Sequence, residues 1–106
     1  MRAVISVVGK DHPGILAFVA SKCAEKEINI VDVTQKVLQG LFTMMMIVEV
    51  PEGLQVQEIT SSFEQYGKEE GLDIHVIIFD LKKKFLIIAI LFQGLGLFIE
   101  INLVQM

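Results

Sequence analysis

The stretch Gly9-Lys10-Asp11-His12-Pro13-Gly14-Ile15-Leu16 gathers the residue types best suited to chemistry in this chain. Gly9 and Gly14 carry no Cβ, so the backbone there can approach a ligand closely. Pro13 suits the first position of a helix, where its missing N–H costs nothing. Asp11 is placed to cap that helix or to favour its positive end. The free N–H groups of a first helical turn attract a carboxylate or another anion. The segment therefore reads either as a compact binding corner for an amino acid or as a tight turn into a well-capped helix. Other reactive side chains are scattered. Cys23 falls on the apolar side of a helical pattern, which predicts a buried, inert thiol. His75 lies among apolar residues of a strand pattern, where a hydrogen-bonded structural role is expected. His12 serves equally as a solvated loop residue, a ligand contact or a pH-sensitive group. Two distant histidines without clustered acids or thiols make no metal site. With one cysteine, the chain has neither a CxxC pair nor an internal disulfide.

The elements that must position this loop follow from hydrophobic spacing. Residues 2–8 are rich in β-branched residues and read as a strand, with Ala3, Ile5 and Val7 on one face and Arg2, Val4, Ser6 and Val8 on the other. Ile15, Leu16, Val19, Cys23 and Ala24 recur at helical spacing up to about Glu27. Residues 29–38 alternate, with Val31, Val33 and Val37 opposed to Asp32, Thr34 and Lys36. Gln39-Gly40 predicts a tight hairpin turn into a return strand over residues 41–50. Met44 and Met46 share one face of that strand and Met45 the other; the set turned away from the helices predicts an apolar patch and a dimer contact. Val56, Ile59, Phe63 and Tyr66 define a second amphipathic helix that Gly71 stops, and residues 72–79 predict a fourth strand. The order is β-α-β-β-α-β, which predicts an α+β, ferredoxin-like sandwich: a four-stranded antiparallel sheet with two helices on one face and right-handed crossovers.

The chain has 106 residues, enough for one domain. Its 9 basic and 13 acidic side chains give a net charge of -4, which argues against a nucleic-acid partner. The first residues lack the apolar run of a signal peptide, and a reducing, cytoplasmic setting is expected. Residues 1–80 are assigned to the domain and residues 81–106 to an apolar tail of different character. There Lys82-Lys83-Lys84 precedes FLIIAILFQGLGLFI, residues 85–99. Three readings fit it: a membrane anchor, short of the roughly 20 residues a spanning helix needs; extra structure covering the sheet or a partner; or an out-of-frame product, suggested by its Ile, Leu, Phe and Lys bias. The last is favoured, and a membrane association is expected only if 85–99 is a genuine anchor.

KDHPGIL followed by a helix and then EINIVDVTQ resembles the ACT domain signature, and within it the small stand-alone ACT proteins of the UPF0237 group. The likeness runs from residue 1 to about residue 76, through GLFTMMMIVEV to GLDIHV; the short acidic segment and MHRI-like terminus usual in that group are missing. The resemblance implies a regulatory domain that binds an amino acid or similar small molecule at a homodimer interface. The site would lie between the first loop of one subunit and the start of the second strand of its neighbour. On this chain that selects Asp11, His12, Pro13, Gly14 and Ile15 from the loop, and Asn29 and Ile30 from the strand. Asn29 can both donate to and accept from a ligand's polar groups; a loop or strand-start cap is the other reading of it, and the one favoured.

The same scaffold hosts several activities, so the fold alone decides nothing. An acylphosphatase-like enzyme needs an arginine in the first loop, and Arg2 is the only arginine. A heavy-metal chaperone needs CxxC. An RNA-recognition module needs exposed aromatic and basic residues on its central strands, where LFTMMMIV offers only Phe42. A nucleophile with a base and an orienting acid is not evident. The expectation is a non-enzyme without a cofactor, with a dimeric protein-interaction module lacking a ligand as the alternative.

Overall fold

The computed structural model describes residues 1–78. The expectations for Phe79 and for the stretch 81–106 lie outside the described residues. Six elements follow in order: β1 (Arg2–Lys10), α1 (Ile15–Glu25), β2 (Asn29–Leu38), β3 (Leu41–Glu49), α2 (Val56–Glu70) and β4 (Leu72–Ile78). The strands form one sheet in the order β2-β3-β1-β4, every pair antiparallel. This is the expected βαββαβ ferredoxin-like architecture.

Local chemistry explains the element ends. Leu38 pairs with Leu41 across a two-residue turn in which Gln39 and Gly40 have φ of 50° and 83°. Two successive positive φ values match the right-handed twist of the flanking strands. Gly71, at φ 70°, closes α2 in the left-handed region open to glycine. The first helix begins later than Pro13 suggests: Gly14, at φ 88°, occupies the N-cap and Pro13 sits in the preceding turn.

Between Ile30 and Asp32 the β2–β3 pairing shifts, and Val31 is an extra residue in β2. Such a bulge reverses which face the following residues take. Ile30 pairs with Val48 and Val33 with Met46, so both lie on the helix side, whereas Val31 is 44% exposed. The simple alternation that grouped Val31 with Val33 and Val37 fails here because it presumes an unbroken period of two.

The core lies between the sheet and the helices. Ala3, Ile5 and Val7 of β1 and Met44, Met46 and Val48 of β3 face Ile15, Val19 and Cys23 of α1 and Ile59 and Phe63 of α2. In α1 the buried stripe is narrower than predicted, and Leu16 remains 39% exposed. The opposite face of the sheet has no described helix over it. There Val4 sits between Ile47 and Ile77, Ser6 between Met45 and His75, and Val8 between Thr43 and Asp73.

Candidate functional site

The loop Asp11–Gly14 leaves the end of β1 and turns into α1. Three features shape it. The Asp11 N–H donates to the Gly40 carbonyl at 2.8 Å, which ties the loop to the β2–β3 hairpin tip. His12 Nδ1 lies 3.1 Å from the Pro13 carbonyl oxygen; that oxygen can only accept, so Nδ1 carries the proton and, in the neutral ring, Nε2 is left as an acceptor. At the N-cap, Gly14 gives its carbonyl to the Phe18 N–H at 2.9 Å, the first bond of the helix.

No side chain caps α1, and its first turn holds no acidic residue. Asp11 therefore does not cap the helix; its own backbone is committed to the hairpin. The first N–H groups of α1 keep the partial positive charge of a helix start, with no acidic residue in that turn. A Cβ placed on Gly14 would meet nothing within 4 Å, so the space beside the Gly14 Cα is open. Asp11, His12, Pro13 and Gly14 are exposed. Ile15 is different: its side chain is 2% exposed and belongs to the core, so it faces the mouth with backbone only.

Gly9 has another reason for being glycine. A Cβ there would stand 2.6 Å from Leu72 Cδ2 and 3.3 Å from the Gly71 carbonyl. The approach it permits is to β4, not to a ligand. Of the two glycines, only Gly14 has open space beside its Cα.

Asn29 and Ile30 lie far away in the same chain. Asn29 pairs with Glu49, which pairs with Arg2, whereas Leu38, Leu41 and Lys10 form the row beside the loop. Eight strand steps separate the two rows, about 27 Å at 3.3–3.4 Å per residue. The predicted residues thus fall in two groups at opposite ends of one sheet. Asn29 is exposed, and Ile30 packs partly against the core.

The Asn29 end is held by charge. The N-terminal amine donates to Glu49 Oε1 at 3.1 Å and Arg2 Nε donates to Glu49 Oε2 at 3.2 Å. The hydrogen bond from the amine, followed by the attraction of both cations, holds the Glu49 carboxyl below its ordinary pKa. Cys23, buried in α1, has its thiol pushed up to about 11 by burial. His75 Nε2 lies 3.0 Å from Asp73 Oδ1 on the helix-free face, where both are exposed. Among the described residues no three His, Cys, Asp or Glu side chains are grouped to hold a metal ion.

Sequence reasoning missed the part played by the hairpin tip. Gln39-Gly40 announced a turn, but only the register of Lys10 opposite Leu41 brings the Gly40 carbonyl to the loop. The bulge at Val31 left no signal in residue types.

A small ferredoxin-like domain with an uncapped helix start at the end of its first strand defines a class of compact βαββαβ domains. An ACT domain family model matches residues 2–77, and the chain belongs to that family. A UPF0237 protein of Listeria monocytogenes is 43% identical over 83 residues, which cover 74% of this chain and 86% of that protein. One from Methanopyrus kandleri is 41% identical over 76 residues, covering 71% and 84%. Among solved structures, an ACT domain protein from Streptococcus pneumoniae aligns at TM-score 0.68 with 41% identity, covering 72% of this chain and 86% of its own. The ACT domain of GTP pyrophosphokinase from Chlorobium tepidum, at TM-score 0.56 and 19% identity, shares the fold over 73% of this chain.

Proposed function

We propose that this chain is a non-catalytic, cytoplasmic regulatory domain whose homodimer binds an amino acid or similar small molecule. The ligand's carboxylate would take the open N–H groups at Gly14–Ile15 of one copy, bordered by Asp11, His12 and Pro13. Asn29 and Ile30 of a second copy would close the site. The observation that carries this reading is the separation of the two groups: about 27 Å of strand forbids one chain from completing the site, while a two-fold dimer can bring opposite ends together twice.

The first test is a thermal-shift screen of the full chain against amino acids. A ligand at a hundred times its dissociation constant should add about 2.7 kcal/mol of stability. The second test addresses the shared site. Gly14→Asn keeps a residue type that tolerates positive φ and fills the mouth; Asn29→Ala removes the opposite polar group. Each alone should abolish the shift. Mixed, unfolded and refolded together, they should regain about a quarter of the binding capacity, because half the dimers are mixed and each holds one intact site. If mixing restores nothing, the site is not shared; if no metabolite shifts melting at all, the ligand-free interaction module is the better reading.

A further inference from the structure

We infer that the molecule bound is an amino acid with an aliphatic side chain, held in a notch between the first turn of α1 and the end of β2. The inference rests on the proposed ligand reading and names what that site selects. The notch is a gap in a face that is otherwise covered. Along the helix side of β2, Ile30 and Val33 pack partly against the core, whereas Gln35 and Val37 are exposed. Val37 is 50% exposed, although Phe42, its partner across the ladder, is only 5% exposed. The helix layer therefore stands off from the last residues of β2, and an apolar side chain on the interior face of the sheet is left bare.

The other wall is α1. Its neighbours identify the flank concerned. The Phe18 ring meets Tyr66 edge-on, with centroids 6.4 Å apart, and Lys22 Nζ lies 4.7 Å from the centre of the same Tyr66 ring. That flank of α1 faces α2, which packs on β4 at one edge of the sheet, while α1 meets β2 at the other edge. Leu16 lies two positions from Phe18, and Ala20 two positions from Phe18 and from Lys22, about 200° round the helix. Leu16 and Ala20 thus line the flank turned towards β2. Leu16 belongs to the same turn as the open N–H groups, and its exposure has the same cause as that of Val37.

Register keeps charge out of the notch. Lys36 and Leu38 pair with Thr43 and Leu41 on the helix-free face, and Lys10 stands beside Leu41 there. On the helix side the end of β2 offers Gln35 and Val37, over Met44 and Phe42. Asp11 and His12 precede the helix and border the carboxylate end of the ligand. A charged side chain laid between Leu16 and Val37 would lose hydration and gain no partner. An aliphatic one covers both residues and is favoured by the apolar area removed from water.

The test is calorimetric titration of the full chain with L-leucine, L-valine, L-serine, L-aspartate and L-lysine. Leucine or valine should bind at least about tenfold more tightly than the other three, the lower end of what one methylene is worth in an apolar pocket. Val37→Asp should weaken leucine by a similar factor and turn the preference towards lysine. Leu41→Asp, on the helix-free face of the same hairpin tip, should leave the preference unchanged. If Val37→Asp loses its far-ultraviolet circular dichroism, Leu16→Ser takes its place and should reduce the margin of leucine over serine several-fold. Tighter binding of serine, aspartate or lysine than of leucine and valine overturns the inference and leaves the ligand reading in place. Binding of none of the five overturns it too, and the wider metabolite screen then decides the ligand reading. If Val37→Asp alters the sedimentation of the ligand-free chain but not its choice among amino acids, the notch is a contact between copies and the inference fails.

Discussion

Replacing Gly67 by alanine should destabilise this domain, although helix propensity alone predicts the opposite. Gly67 lies inside α2, where alanine is favoured over glycine by about 1 kcal/mol. The added methyl, however, would stand 2.5 Å from the Leu72 carbonyl oxygen and 3.1 Å from Ile74 Cγ1. Leu72 is backbone fixed in β4 by its pairing opposite Gly9, so it cannot turn aside as a side chain could. Forcing a methyl into such a site costs about 1–3 kcal/mol, with the upper part of the range appropriate for a backbone clash. The net expectation for Gly67→Ala is a loss of about 1–2 kcal/mol, which lowers Tm by about 5–15 °C in a domain this small. Gly9→Ala is the control. Its Cβ meets Leu72 Cδ2 at 2.6 Å, the mobile end of a side chain, and glycine in a strand is itself unfavourable. That variant should stay within about 1 kcal/mol of the parent. Urea denaturation of the full chain and both variants measures the difference. If Gly67→Ala is as stable as the parent, or if the two glycine variants lose equally, close packing of α2 on β4 is not what requires glycine at position 67.

Phe63 is fully buried between α2 and the sheet, and Phe63→Ala should cost about 3–5 kcal/mol by denaturant titration, enough to leave a marginal domain largely unfolded. Glu49 has a lowered folded-state pKa, so its contribution is present above the ordinary value of 4.5 and is lost as pH falls through the folded value. Wild type and Glu49→Gln should therefore differ in Tm near pH 6 and converge as pH falls below 4.5 and through the lowered folded value. The Cys23 thiol, buried and raised to about 11, should react with a thiol reagent at pH 8 only as fast as the domain opens; labelling as fast in the native state as in urea would contradict its burial.

The order of elements was legible in the residues. β-Branched runs, two helical stripes and the turn at Gln39-Gly40 were enough to specify βαββαβ, because each rests on short-range geometry. The loop at Gly9–Leu16 was legible as a place where backbone is exposed, for the same reason. Its details were not. Asp11 was the obvious cap, but pairing of Lys10 with Leu41 carries the Asp11 N–H to Gly40 and leaves α1 uncapped. Gly9 and Gly14 look alike in the sequence; a Cβ on the first would press on the mobile end of Leu72, whereas the second has a positive φ and open space beside it. Val31 became a bulge through a shift of register against β3, which no residue type announced. Sequence alone thus determined which segments are strands and helices and where the chain offers polar backbone. Tertiary structure decided that the loop and Asn29 stand at opposite ends of the sheet, since strand pairing sets distances between residues far apart in the chain.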